Sequence, residues 1–166
     1  MHQIGERVLY GCHGVCQIIS MEERVIDRKR VNYFVLEPIN QQGSRYMVPS
    51  DNPIALSKLR PLLSREELEA LLASEEVRQD RWIPDENTRK QKYKELITSG
   101  DRAALLGMIH ALHQHKKNQI ELGRKFHQSD ENFLNDAQKL LTAEFSLVLQ
   151  IEPENVGRFI LDALEK

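Results

Sequence analysis

Four closely spaced cations, Arg89, Lys90, Lys92 and Lys94, offer the plainest chemistry in this sequence, that of holding phosphates. On a helix, Arg89, Lys90 and Lys94 can share a broad face while Lys92 projects to one side. Each phosphate contact made by such a face releases counterions. Lys116, Lys117, Arg124 and Lys125 continue the basic series, and Arg81 precedes it beside Trp82, the only tryptophan. An indole at a break between helices can pin one helix to another. It can also stand exposed and wedge between bases while nearby cations hold the backbone. The bland alternative for the cations is a solvated helix face.

Catalytic chemistry has little support. There is no phosphate-cradling glycine loop, no nucleophile elbow and no HExxH motif. His110, His113 and His115 are the best metal candidates, but on a helix only His110 and His113 share a face. Zinc needs three or four convergent ligands, so we expect no metal, no cofactor and no enzyme activity. Cys12 and Cys16 are too few for a disulfide framework and read as small hydrophobes in a strand region.

Charge is distributed unevenly. The formal net charge is −2, yet residues 87–125 carry nine basic against three acidic side chains, while the segments on either side are acidic. Such asymmetry favours a polyanionic partner. No apolar run approaches the roughly 18–20 residues that span a bilayer. The opening Met1-His2-Gln3-Ile4-Gly5-Glu6 lacks the basic start and apolar stretch of a signal peptide. We therefore expect a cytoplasmic protein with no membrane partner.

The elements that must position these residues fall into two textures. Arg7–Tyr10, Val15–Ile19, Asn32–Leu36 and Ser44–Val48 are short runs rich in β-branched and aromatic residues. Gly11 with Gly14, the polar stretch Glu22–Arg30, and Asn40–Gly43 read as turns. Four or five short strands suit a small, strongly bent antiparallel barrel of the SH3 or Tudor type. After Pro61 the pattern turns helical. Ser64-Arg65-Glu66-Glu67 is a capping box, Pro84 opens a basic helix over about 87–97, and another helix follows from Asp101. Ser129 looks like the N-cap of a further helix, and Pro153 opens the last. The fold class is thus α+β: a barrel over residues 1–58, then an all-α bundle over 62–166, with the boundary within 53–62.

Order and wording of these segments resemble the CarD-like family of bacterial RNA polymerase-binding transcription regulators. The run from Ile4 to Ile18, with its glycine-acid pair, a strand ending in Tyr10, and His13-Gly14-Val15, is similar to the family's opening signature. Tyr33–Leu36, Met47-Val48-Pro49 with Asn52, Leu59-Arg60 followed by Ser64–Glu67, Trp82, Ser99-Gly100-Asp101 and Ser129-Asp130-Glu131 recur in the same order. The resemblance covers nearly the whole chain.

That resemblance implies a Tudor-like domain, similar to the polymerase-interaction domain of the transcription-repair coupling factor, which binds the RNA polymerase β subunit through an edge strand. It implies helices that contact promoter DNA at the upstream edge of the bubble, in the minor groove and along the backbone, with little sequence specificity. The implied outcome is a more stable open promoter complex. Carried onto this chain, Trp82 is the wedge, and Arg24 with Tyr46, Met47 and Val48 faces the polymerase. Gly11 stands where many members have proline, and Met47 where some carry a basic residue. The interval from Trp82 to Ser99 is lengthened by Ile83–Glu86, as in a Firmicutes-type branch. We expect a monomer, associated with the nucleoid through the polymerase. The rival reading is a polymerase-bound adaptor whose helices bind protein. A Tudor-type reader of modified side chains would need an aromatic cage, for which Tyr10, Tyr33, Phe34 and Tyr46 could supply rings.

Overall fold

The computed structural model describes residues 2–39, 41–79 and 81–165, apart from the Cys12 side chain. The chain is α+β and divides into two compact units, residues 1–62 and 63–166.

The first unit is built on a five-stranded antiparallel sheet. Its strands are β1 (Arg7–Tyr10), β2 (Val15–Ile26), β3 (Lys29–Pro38), β4 (Tyr46–Pro49) and β5 (Leu59–Pro61), in the spatial order β4-β3-β2-β1-β5. A helical turn, α1 (Pro53–Leu56), links the two edge strands. It starts where Asn52 accepts hydrogen bonds from the Ile54 and Ala55 amides and Pro53 supplies a preset backbone angle. Val8, Cys16, Ile18, Phe34, Leu36, Val48 and Leu59 form the core of this unit. Burial pushes the Cys16 thiol up to about 11, so it packs as an inert small hydrophobe. The Cys12 side chain, read from sequence the same way, lies outside the described part.

Two features of this unit depart from the sequence reading. The polar stretch 22–30 is not a loop: β2 and β3 stay paired from Glu22↔Tyr33 out to Ile26↔Lys29, forming a long hairpin arm. Only Asp27 and Arg28 turn the chain, both at positive φ (51° and 65°), as a tight two-residue hairpin turn requires. The expected end at residue 58 also falls short, because β5 lies beyond it and pairs with β1 from Val8↔Pro61 to Tyr10↔Leu59.

The second unit is helical. Its elements are α2 (Arg65–Ala73), α3 (Glu86–Ser99), α4 (Arg102–Glu121), α5 (Gln128–Leu149) and α6 (Pro153–Leu164), with a 3-10 turn at Glu76–Arg78. Ser64 and Glu67 exchange both bonds of the capping box. Asp85 caps α3 and Asp101 caps α4, and Gly100 ends α3 in the left-handed conformation. His127, not Ser129, occupies the cap position of α5 and makes no side-chain capping bond. Helix α4 is the centre of the unit, with Leu105, Leu106, Met108, Ile109 and Leu112 all essentially inaccessible. It meets Leu134, Ala137, Leu141 and Phe145 of α5 and Val156 and Ile160 of α6 in one continuous core. Two long-range ion pairs tie helices across that core: Arg89–Asp130 joins α3 to α5, and Arg102–Glu144 joins α4 to α5. Glu144 also accepts the Leu63 amide at 2.9 Å.

Candidate functional site

The cations of α3 do not form one surface. Arg89 is only 3% exposed, and its Nε and Nη2 donate to the two carboxylate oxygens of Asp130 at 2.9 and 3.0 Å. Its Nη1 donates to the Ile83 carbonyl at 3.0 Å. Helical spacing explains the split, since Arg89 shares its face with fully buried Tyr93, one turn on. The sequence reading of Arg89 as a phosphate contact is therefore corrected: it is an interior strut. Lys90 lies on a neighbouring face and pairs with Glu86 at 3.2 Å, whose carboxyl is held down by that hydrogen bond. Lys92 and Lys94 are exposed, with no ion pair among the described residues.

Trp82 is partly buried against the helical core, and its ring stacks on His115 at a centroid separation of 3.7 Å and an angle of 16°. The Arg89 guanidinium carbon lies 4.4 Å from the indole centroid. Trp82 thus bridges the segment before α3 to the face of α4, the arrangement of an anchor and not of a free-standing wedge. Desolvation, the largest influence on His115, pushes its pKa below the ordinary histidine value, further helped by Arg89 and His127 and opposed by Asp130. A neutral imidazole stacked on indole is the result near neutral pH.

Arg81, proposed from sequence as a DNA contact, crosses α4 at Gly107. A Cβ at Gly107 would collide with the Arg81 Cδ and Nε. Glycine inside a helix costs about 1 kcal/mol relative to alanine, and here it makes room for this crossing. The Arg81 Nε is buried without a hydrogen-bond partner among the described residues.

Further along, Lys116 pairs with Glu131 of α5 at 2.9 Å and lies 5.8 Å from the Phe126 ring. Lys117 and His113 both reach Glu165, at 3.2 and 3.1 Å, and these bonds lower its pKa, the His113 bond contributing most. Arg124 and Lys125, in the turn between α4 and α5, are exposed and make no ion pair among the described residues. Within the second unit, the cations named from sequence that stand open are thus Lys92, Lys94, Arg124 and Lys125. His110, His113 and His115 do not converge, and among the described residues no group of three or more His, Cys, Asp or Glu could hold a metal ion.

In the first unit β4 is an edge strand, paired with β3 from Leu36↔Tyr46 to Tyr33↔Pro49. Val48 is buried in the sheet core, at 1% exposure, so its side chain is unavailable to a partner and the assignment of that side chain to an interface is corrected. Tyr46 and Met47 are half-buried. Arg24 sits on the hairpin arm opposite Val31, two residues beyond Tyr33, and pairs with Glu22 at 3.2 Å. With β3 between them, Arg24 and β4 are about two strand spacings, roughly 10 Å, apart across the sheet, and one partner can cover both. The rings of Tyr10, His13 and Tyr46 pack on one another at 4.5–5.4 Å between centroids. Rings this close fill the space that a cage would leave for a methylated cation.

Among the described residues, no helix is long and apolar enough to cross a membrane. Residues 2–61 match the CarD-like/TRCF RID domain, a span that coincides with the first compact unit and includes β5. This finding is consistent with the CarD-like family and marks the unit as an RNA polymerase-interacting, transcription-related module. No curated protein matches the chain.

Proposed function

We propose, taking residues 2–61 as a CarD-like/TRCF RID domain, that this protein is a non-enzymatic transcription regulator acting in the cytoplasm as a monomer. The first unit binds the RNA polymerase β subunit, and the helical unit binds upstream promoter DNA and stabilises the open complex. The observation that carries the reading is the coincidence of that match with a complete sheet bearing an edge strand, since edge strands accept strands from other proteins. Tyr46, Met47 and the β4 backbone supply the edge, and Arg24 supplies a charge on the adjoining arm. On the helical unit, Lys92, Lys94, Arg124 and Lys125 hold phosphates, with Trp82 acting behind them by fixing the start of α3 against α4.

The test uses the full chain. It should retain RNA polymerase from a bacterial lysate through the β subunit, and Arg24→Glu should weaken that retention without unfolding the protein. Failure to retain polymerase would overturn the reading. DNA binding should be weak, sequence-tolerant and steeply dependent on salt, log K falling with log salt by about 0.9 for each phosphate held. The second reading, a polymerase-bound adaptor whose helices bind protein, is favoured by the number of cations that already have carboxylate partners: Arg89, Lys90, Lys116 and Lys117. Polymerase binding that persists with no salt-dependent DNA affinity selects the adaptor.

A further inference from the structure

A hollow of about 290 Å³ opens on the helical unit between the segment leading to α3 and one face of α4. Its α4 wall is a stripe at helical spacing, His110, Gln114 and Asn118. Trp82 and His115, stacked on each other, form an aromatic wall, and Arg78 forms another side. None of these residues belongs to the polymerase-facing unit.

Three properties specify what fits. The first is size: 290 Å³ lies at the small end of ligand sites, which run from roughly 300 Å³ upward, and suits a single nucleotide. The second is charge. Arg78 donates to three main-chain carbonyls, Leu72 at 2.6 Å, Ser74 at 3.0 Å and Ala163 at 3.0 Å. That fixes its guanidinium in place without neutralising it, and among the described residues no carboxylate lines the hollow. A fixed, uncompensated cation at the wall of a pocket selects an anion. The third is the polar edge. The side chains of Gln114 and Asn118 have no hydrogen-bond partner among the described residues, and each carries both a donor and an acceptor. A carboxamide is the side chain that pairs in bidentate fashion with the N6 and N7 edge of adenine. Beside it, aromatic rings meet the flat face of a base.

We propose that this hollow is an adenine nucleotide site, with Gln114 and Asn118 reading the base edge, the Trp82–His115 stack walling the base on one side, and Arg78 attracting the phosphate. The ligand is either a free nucleotide or an unpaired adenosine of a melted DNA strand, since both present the same base and phosphate. The inference goes beyond the polymerase and duplex-DNA reading and stands or fails without it.

The test follows the emission of Trp82, the chain's only tryptophan, in the full-length protein. Adenosine monophosphate and a single-stranded oligodeoxyadenylate are titrated in separate arms, each against its cytidine counterpart. In at least one arm, adenine should bind at least about tenfold more tightly than cytosine, the discrimination one bidentate base contact provides. The paired substitution Gln114→Ala and Asn118→Ala, at positions outside the core, should remove that preference while leaving the circular dichroism spectrum unchanged. Preference in the monophosphate arm alone identifies a free nucleotide, and preference in the oligonucleotide arm identifies a melted strand. Equal response to adenine and cytosine, no response in either arm, or an adenine preference that survives the double substitution would overturn the site. Polymerase retention measured on the same preparations separates this outcome from failure of the proposed function.

Discussion

Removing Arg89 should cost far more than removing any surface cation. Asp130 is fully buried, so Arg89→Met would leave a carboxylate inside the unit without its partner, a change worth about 3–5 kcal/mol. Replacing Asp130 by Leu in the same protein should restore much of the loss, and urea unfolding midpoints would show both effects. Such burial is not legible in the sequence: Arg89 sits among lysines, and its partner lies 41 residues away. The same holds for Trp82, whose stacking partner on α4 has no mark in the local sequence. His115 gives this contact a pH signature. Its folded pKa is depressed, so the neutral stack stabilises the protein above the ordinary histidine value of 6.5, and that contribution is lost as pH falls through the folded value. The stability difference between the wild type and His115→Phe should therefore shift against the wild type between about pH 8 and about pH 5, and an unchanged difference would remove His115 from the pH response.

At the scale of elements, the hairpin arm is the feature with the most to test. Met21, Val25 and Ile26 are 50%, 67% and 48% exposed along it, so it adds little to the core of the first unit. Replacing residues 23–32 by a two-residue Asn-Gly turn keeps the Glu22↔Tyr33 pair and should leave the sheet folded. If the arm helps grip the polymerase, retention of the enzyme should fall, and full retention would confine the interface to β4. Sequence alone treats this stretch as a turn because Glu22–Arg30 is rich in charge and holds no glycine to mark its tip. Pairing between β2 and β3 overrides that composition, and Asp27 with Arg28 takes the positive φ angles unaided. Local signals are more readable: the Ser64–Glu67 box and the Gly100 stop are each decided within one helical turn. On α3 and the α4–α5 turn, Lys92→Glu with Lys94→Glu, and Arg124→Glu with Lys125→Glu, should each weaken duplex binding and make its salt slope shallower by up to about 0.9 for each phosphate no longer held. Gel shifts at several salt concentrations would measure both quantities.

For the molecule as a whole, the α+β class is legible because period-two runs give way to helical stripes after Pro61, a switch that needs no long-range information. The edges of the units are not, since a three-residue strand such as β5 has too little pattern to be seen. A fragment of residues 1–62 should fold and retain the polymerase β subunit, whereas a fragment ending at residue 58 lacks β5 and should melt at a lower temperature or fail to fold. Thermal unfolding of the two, side by side, decides the point. The pairing of β1 with β5 also has a consequence for biosynthesis. The ribosome releases β1 roughly 50 residues ahead of the strand that completes its pairing, which at about 5–20 residues per second is an interval of seconds. The β2–β3 hairpin, whose register is local, can zip in microseconds once both strands have emerged. One edge of β1 must wait. A nascent chain stalled between these two points would expose that edge to other unfinished chains, so a translational pause set while β1 is outside the ribosome and β5 is still inside it should lower the yield of soluble protein, while a pause after β5 has emerged should not.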